Sequence, residues 1–174
     1  MFEDIPDEVN PDFIDGLQVS LLGVDDLALE SINFGLEDDD HSVSGWTYKA
    51  SLLHNLKKYD EAVESWGRAI ELDEDNYYLL LMLIASLEKC GRFDESYAIS
   101  KKILENCVDD NWSISFLSSI SRTALHLKKY DVVITSCRRV MDIQLKDNDE
   151  VFESTYQDLC SALYLSPNFD EAEI

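Results

Sequence analysis

No apolar run in this 174-residue chain approaches the roughly 20 residues a membrane-spanning helix requires. Proline and glycine are scarce, with 3 and 6 copies, so the two strongest helix breakers seldom interrupt the pattern. The four cysteines (Cys90, Cys107, Cys137 and Cys160) include no Cys-x-x-Cys pair and no Cys/His cluster, which excludes the common zinc frames. The opening MFEDIPDEVNPDF carries acid and proline where a secretory leader would carry basic and then apolar residues. A cytoplasmic protein with reduced thiols is the expectation. Bases are scarcest of all. The chain holds 14 Lys and Arg against 36 acids, a net charge of −22, and its first base is Lys49. Nucleic acids and anionic membranes are recognised by Lys and Arg, so neither is an expected partner. A partner steered by charge would be basic.

Catalytic frames are missing too. There is no Gly-x-Ser-x-Gly, no glycine-rich phosphate loop and no His-Glu-x-x-His, so no enzymatic activity and no cofactor are expected. His41, His54 and His126 lack any partner spacing. EDDDH at 37–41 gathers acids and an imidazole, but adjacent side chains in a linker diverge and no EF-hand spacing is present. A solvated connection is the better reading, with no metal site.

What the chain does contain is repetition. LKKYDE at 56–61 returns as LKKYD at 127–131, with GRFDES at 91–96 and PNFDEA at 167–172 as variants. Aligned on Tyr59, Phe93, Tyr130 and Phe169, the copies are spaced by 34, 37 and 39 residues. Lys or Gly before each of the first three aromatics suits a helix C-terminus, and the Asp after each reads as the N-cap of the next helix. Trp46, Ala50, Leu53 and Leu56 precede the first turn at helical spacing, and Ala62, Trp66, Ala69 and Ile70 follow it. Leu80, Ile84 and Leu87 hold the matching places before the second turn. Small residues stand where paired helices would cross: Ala50, Ser121 and Cys160 in first helices, Ala62, Ser96 and Ala172 in second ones. One period upstream, Ala28, Ile32, Gly35 and Leu36 repeat the spacing of Ala62, Trp66, Ala69 and Ile70.

A helix–turn–helix period near 34, with W46…A50…L53…Y59-D-E-A62…W66…A69-I70, resembles the tetratricopeptide repeat. The resemblance implies an all-α fold, a right-handed superhelical stack of paired helices. It divides the chain into an acidic segment at 1–42 with a degenerate helical pair, repeats at 43–76, 77–113 and 114–152, and a partial fourth repeat or capping helix at 153–174. The chain departs from the family in lacking the Pro after each second helix, where Glu74 and Val108 stand instead, and in placing the bulky Ile84 at a usually small position.

By the same resemblance the chain is an interaction module that holds a peptide or helix of a partner protein in a concave groove lined by first helices. The positions that correspond are Thr47, Ser51 and Asn55; Tyr78, Leu81, Ala85 and Lys89; and Ser118, Arg122 and His126, with Ser154, Gln157 and Ser161 continuing the wall. Chaperone-binding members grip a terminal carboxylate with Lys, Arg and Asn on these helices. Thr47, Ser51, Met82, Ser115 and Ser119 occupy those places here and supply no positive charge, so that clamp is not implied. Two other readings stay open: a chaperone-like holder of basic or apolar clients, and a regulatory part of a longer protein. YYLLLMLI at 77–84 is either a central helix buried all round or a bare apolar docking strip.

Overall fold

The computed structural model describes residues 25–105, 110–146 and 152–166. Among these residues the chain forms eight helices and no strand. They are α1 (Asp25–Asp38), α2 (Val43–Asn55), α3 (Tyr59–Leu72), α4 (Tyr77–Lys89), α5 (Phe93–Leu104), α6 (Asp110–His126), α7 (Tyr130–Lys146) and α8 (Glu153–Leu165). No helix among the described residues is long and apolar enough to cross a membrane. The part of the degenerate helical pair of 1–42 that precedes Asp25, and Phe169 and Ala172 of the fourth repeat, lie outside the described residues. The chain divides into two compact units, residues 1–90 and 91–174, with the division in the turn between α4 and α5.

In the first unit α1 packs on α2, α2 on α3 and α3 on α4. The core is the stripe the spacing marks out. Ala50, Leu53, Ala62, Trp66 and Ala69 are buried together with Leu79. The alanines at the α2/α3 crossing let the two backbones approach, and the Trp66 ring fills the space beside them. Full burial of a side chain of this size contributes about 1.5–3 kcal/mol. The upstream copy keeps its register: Ala28, Ile32, Gly35 and Leu36 are the buried residues of α1. Ile84, the bulky departure from the family pattern, is itself buried.

In the second unit α5 packs on α6, α6 on α7 and α7 on α8, and α6 also touches α8 directly. Ala124, Val133, Cys137 and Ala162 form its central cluster, with Tyr97, Tyr130 and Leu159 packed against them.

The repeated turns explain why the helices alternate. Lys57, Gly91 and Lys128 each stand two residues before the aromatic, and all three take a left-handed backbone, with φ of 62°, 74° and 58°. The Lys58 N–H then donates to the Leu53 carbonyl at 2.9 Å, and Lys129 N–H to the Ala124 carbonyl at 2.8 Å. This six-to-one bond is the Schellman closure, which satisfies an orphan carbonyl and reverses the chain.

Two expectations change here. Asp60 and Asp94 are not N-caps: α3 and α5 start one residue earlier, at Tyr59 and Phe93, with Lys58 and Arg92 in the cap position and no side-chain cap bond. The left-handed residue has already turned the chain, so the carbonyls of Lys58 and Arg92 accept the first helical bonds, from Ala62 and Ser96. The aspartates stay in the first turn, where they complement the positive helix end. In α4 the buried pattern is Leu79, Ile84 and Leu87, with Leu80 half-buried. The helix is neither buried all round nor bare along a strip, since Leu80 to Leu83 are half-buried and Tyr78 is exposed.

Candidate partner-binding site

The first helices α2 and α4 are opened by side-chain caps that set their starting points. Ser42 Oγ accepts from the Gly45 N–H at 3.1 Å, and Asn76 Oδ1 accepts from the N–H groups of Tyr78 and Leu79. On α2, Thr47 and Ser51 are half-buried and Asn55 is exposed at the helix end. The Thr47 hydroxyl donates to the Val43 carbonyl at 2.7 Å, which leaves its lone pairs as acceptors. On α4, Tyr78 and Lys89 are exposed, and Leu81 and Ala85 are half-buried.

One polar contact ties α2 to α4. His54 Nδ1 lies 2.8 Å from Ser86 Oγ, and the Ser86 hydroxyl also reaches the Met82 carbonyl at 3.0 Å. With its proton on that carbonyl, the hydroxyl accepts from Nδ1–H, and Nε2 becomes the nitrogen that titrates. The ring also meets Tyr59 edge-on, with centroids 5.2 Å apart. Burial, and then the nearby Lys89 ammonium, hold the imidazole pKa below its ordinary value.

In the second unit a small open cavity of about 50 Å³ lies among α6, α7 and α8. Ser118 and Arg122 of α6 and Ser154 and Asp158 of α8 line it, with Cys137 and Val140 of α7 contributing apolar surface. Three of the residues that the resemblance assigned to the groove, Ser118, Arg122 and Ser154, therefore stand around one opening. His126 stands elsewhere, stacked flat on Phe93 with ring centroids 4.1 Å apart.

Asp158 was not foreseen. Burial raises its carboxyl pKa, opposed by a hydrogen bond from Ser121 and by the Arg122 guanidinium. The only sequence signal is an acid in the middle of α8, one residue before the core position Leu159, where Asp is a poor helix former. Cys137 lies beneath, its Sγ 3.2 Å from Ser121 Oγ. Burial raises the thiol pKa, and neighbouring Asp158 raises it further against the Ser121 bond. A thiol kept protonated in this way is a packing group rather than a nucleophile. Chemically the opening offers hydroxyls, one carboxyl and one guanidinium: donors and acceptors fit for a peptide backbone or a polar side chain. Among the described residues no group of three or more His, Cys, Asp or Glu is placed to hold a metal ion.

The tetratricopeptide repeat family model matches residues 43–76. Residues of this chain are 37% identical over 65 positions to N-alpha-acetyltransferase 16, NatA auxiliary subunit, of Homo sapiens and of Mus musculus. That stretch is 37% of the chain, and it spans 8% of the length of those relatives. Among solved structures, MamA from Desulfovibrio magneticus RS-1 superposes with a TM-score of 0.67 at 10% identity, covering 98% of this chain and 100% of that one. PilF of Pseudomonas aeruginosa gives 0.67 at 17% identity over 88% and 67%. YrrB, a TPR protein with an unusual peptide-binding site, gives 0.56 at 16% identity over 92% and 88%. At these identities the likeness shows the fold.

Proposed function

Because the chain is a tetratricopeptide-repeat protein, we propose that it is a non-enzymatic interaction module that binds a peptide or helix of a partner protein along its first helices. The observation that carries this reading is the opening at Ser118, Arg122, Ser154 and Asp158, where polar groups from two first helices converge over an apolar floor. The half-buried Leu81 and Ala85 beside the exposed Tyr78 of α4 supply an apolar counterpart in the first unit. Cys137 and Cys160 are free thiols, in keeping with action in the reducing cytoplasm. Similarity to a protein named as an auxiliary subunit supports a role in service of a partner.

The test is affinity capture with the full chain as bait, partners being identified by mass spectrometry. The control is a bait carrying Leu81→Glu and Arg122→Glu, checked by circular dichroism for an unchanged helical spectrum. Partners recovered by the wild type and lost by the variant support the first-helix surface. Equal recovery by both rejects it.

A further inference from the structure

The most strongly charged part of the molecule is not at that opening. Residues 1–90 hold 21 acids against 5 bases, a net −16, whereas residues 91–174 hold 15 against 9. Within the first unit, two open cavities of about 310 and 230 Å³ adjoin along the α2/α3 hairpin, and both are lined by Trp46 and Arg68. They lie on a different stripe of α2 from Thr47, Ser51 and Asn55, because Trp46, Lys49 and Leu53 face α3. Along α3 the cleft runs from Glu61 to Leu72, about 16 Å at a helical rise of about 1.5 Å per residue.

The floor is apolar and fixed. Trp46 Nε1 donates to the Asp40 carbonyl at 2.8 Å, which sets the orientation of the ring, and the exposed Leu72 extends the surface. The rim is acidic at both ends, with Glu61 and Glu64 at one and Asp40 and Glu71 at the other. Two bases and one histidine stand among these four acids, and His41 Nδ1 lies against Asp40 Oδ1. Arg68 pairs with Glu71 at 2.8 Å. The Lys49 ammonium sits 5.1 Å from the centroid of the Trp46 ring, facing Glu61 and Glu64. A cation already rests on the ring face, supplied by the chain itself. The carboxylates of Glu61 and Glu64 that face Lys49 would face a Lys or Arg from outside in the same way.

The geometry points to the Trp46 cleft as a docking site for a short basic segment of a partner protein, with an apolar residue against Leu72 and the part of the indole that Lys49 leaves open, and a Lys or Arg at each end. An extended segment of about five residues spans the length, at about 3.3 Å each. Charge complementarity selects this occupant: an acidic segment or a second copy of this chain would bring further negative charge against the rim.

The probe is a fluorescein-labelled peptide, Lys-Ala-Leu-Ala-Lys, titrated with the full chain by fluorescence anisotropy at low salt. Saturable binding is expected, weakened at least about tenfold by the double rim reversal Glu61→Lys plus Glu64→Lys. Glu74→Lys plus Asp75→Lys makes the same change in net charge outside the cleft and should alter affinity by less than about twofold. Equal weakening by both pairs would reduce the effect to overall charge and overturn the proposal, as would undiminished binding to the rim variant. Both variants are compared at matched helicity. Leu81→Glu plus Arg122→Glu should leave the peptide's affinity unchanged, so the first-helix reading and this one fail separately.

Discussion

Lys57, Gly91 and Lys128 do one job with two chemistries. Each closes a helix in the left-handed region, at φ between 58° and 74°, but only glycine reaches it without a Cβ clash. An L residue there costs about 1–2 kcal/mol, part of which glycine forfeits through the greater freedom of its unfolded chain. Lys57→Gly and Lys128→Gly should each therefore raise stability by about 0.5–1 kcal/mol in urea titrations. Gly91→Ala should lower it by about 1 kcal/mol, although only the Phe93 ring stands near the new methyl, at 3.9 Å.

His54 makes a second argument at this scale. Its folded pKa is depressed, so the unfolded chain takes up a proton first as the pH falls. The contribution to stability is complete above the ordinary value of 6.5 and is lost as the pH drops from there through the folded pKa. Melting temperature should fall over that window. In His54→Gln, whose amide can keep the bond to Ser86, this part of the slope should vanish. An unchanged slope would assign it to other groups.

At the scale of the helix, the sequence was legible wherever one residue type suffices to state the packing. The α2/α3 hairpin follows from Ala50, Ala62 and Ala69 at the crossing and Trp66 beside them, all buried to within 1% of full burial. Trp66→Ala should cost about 3–5 kcal/mol, while Trp66→Phe should cost much less. The indole N–H has no hydrogen-bond partner among the described residues, so phenylalanine removes a buried orphan donor along with some volume. Comparison of the two variants by urea denaturation separates the cavity from the polar term.

Helix starts were less legible. An Asp after an aromatic reads as a cap until the left-handed residue ahead of it is known, and Lys does not announce that conformation as Gly does. Cys160 shows another limit. It occupies the small-residue place of a crossing, yet it is exposed, in line with Tyr156 and Tyr164 on the same helix. The periodicity names the face of α8, and burial depends on what lies against that face. For the candidate site, the repeat alignment named Ser118 and Arg122, which line the opening, and passed over Asp158, which lines it too. A family pattern carries positions, and the placing of an acid on α8 near Ser121 and Arg122 belongs to this chain's own packing.

For the whole molecule the deciding quantity is charge. Ion pairs among the described residues include local, exposed ones: Arg68 with Glu71 at 2.8 Å within α3, and Arg92, at the cap of α5, with Glu95 at 2.7 Å, each pair three residues apart. Such pairs contribute about 0–1 kcal/mol and weaken as salt is added. Against them stands a net charge of −22, whose self-repulsion opposes the compact state at every contact between acidic surfaces. Salt screens both, but there are 36 acids for 14 bases, so relief of repulsion outweighs loss of attraction. Raising NaCl from about 10 mM to about 0.1 M shortens the Debye length from about 30 to about 10 Å, enough to uncouple acids on neighbouring helices. The melting temperature should rise, by about 2–4 °C for each kcal/mol relieved in a chain of this size. Most of the rise should be complete by about 0.1 M, because repulsion between surface charges is screened in that range, whereas effects of salt on apolar burial grow at higher concentrations. A melting temperature that falls over the same interval would mean that attraction dominates, with the acids held in pairings stronger than the exposed ones described. The binding consequence has the opposite sign: the salt that stabilises the fold should weaken a basic peptide on the Trp46 cleft. Stability and affinity measured across one salt series should therefore move apart.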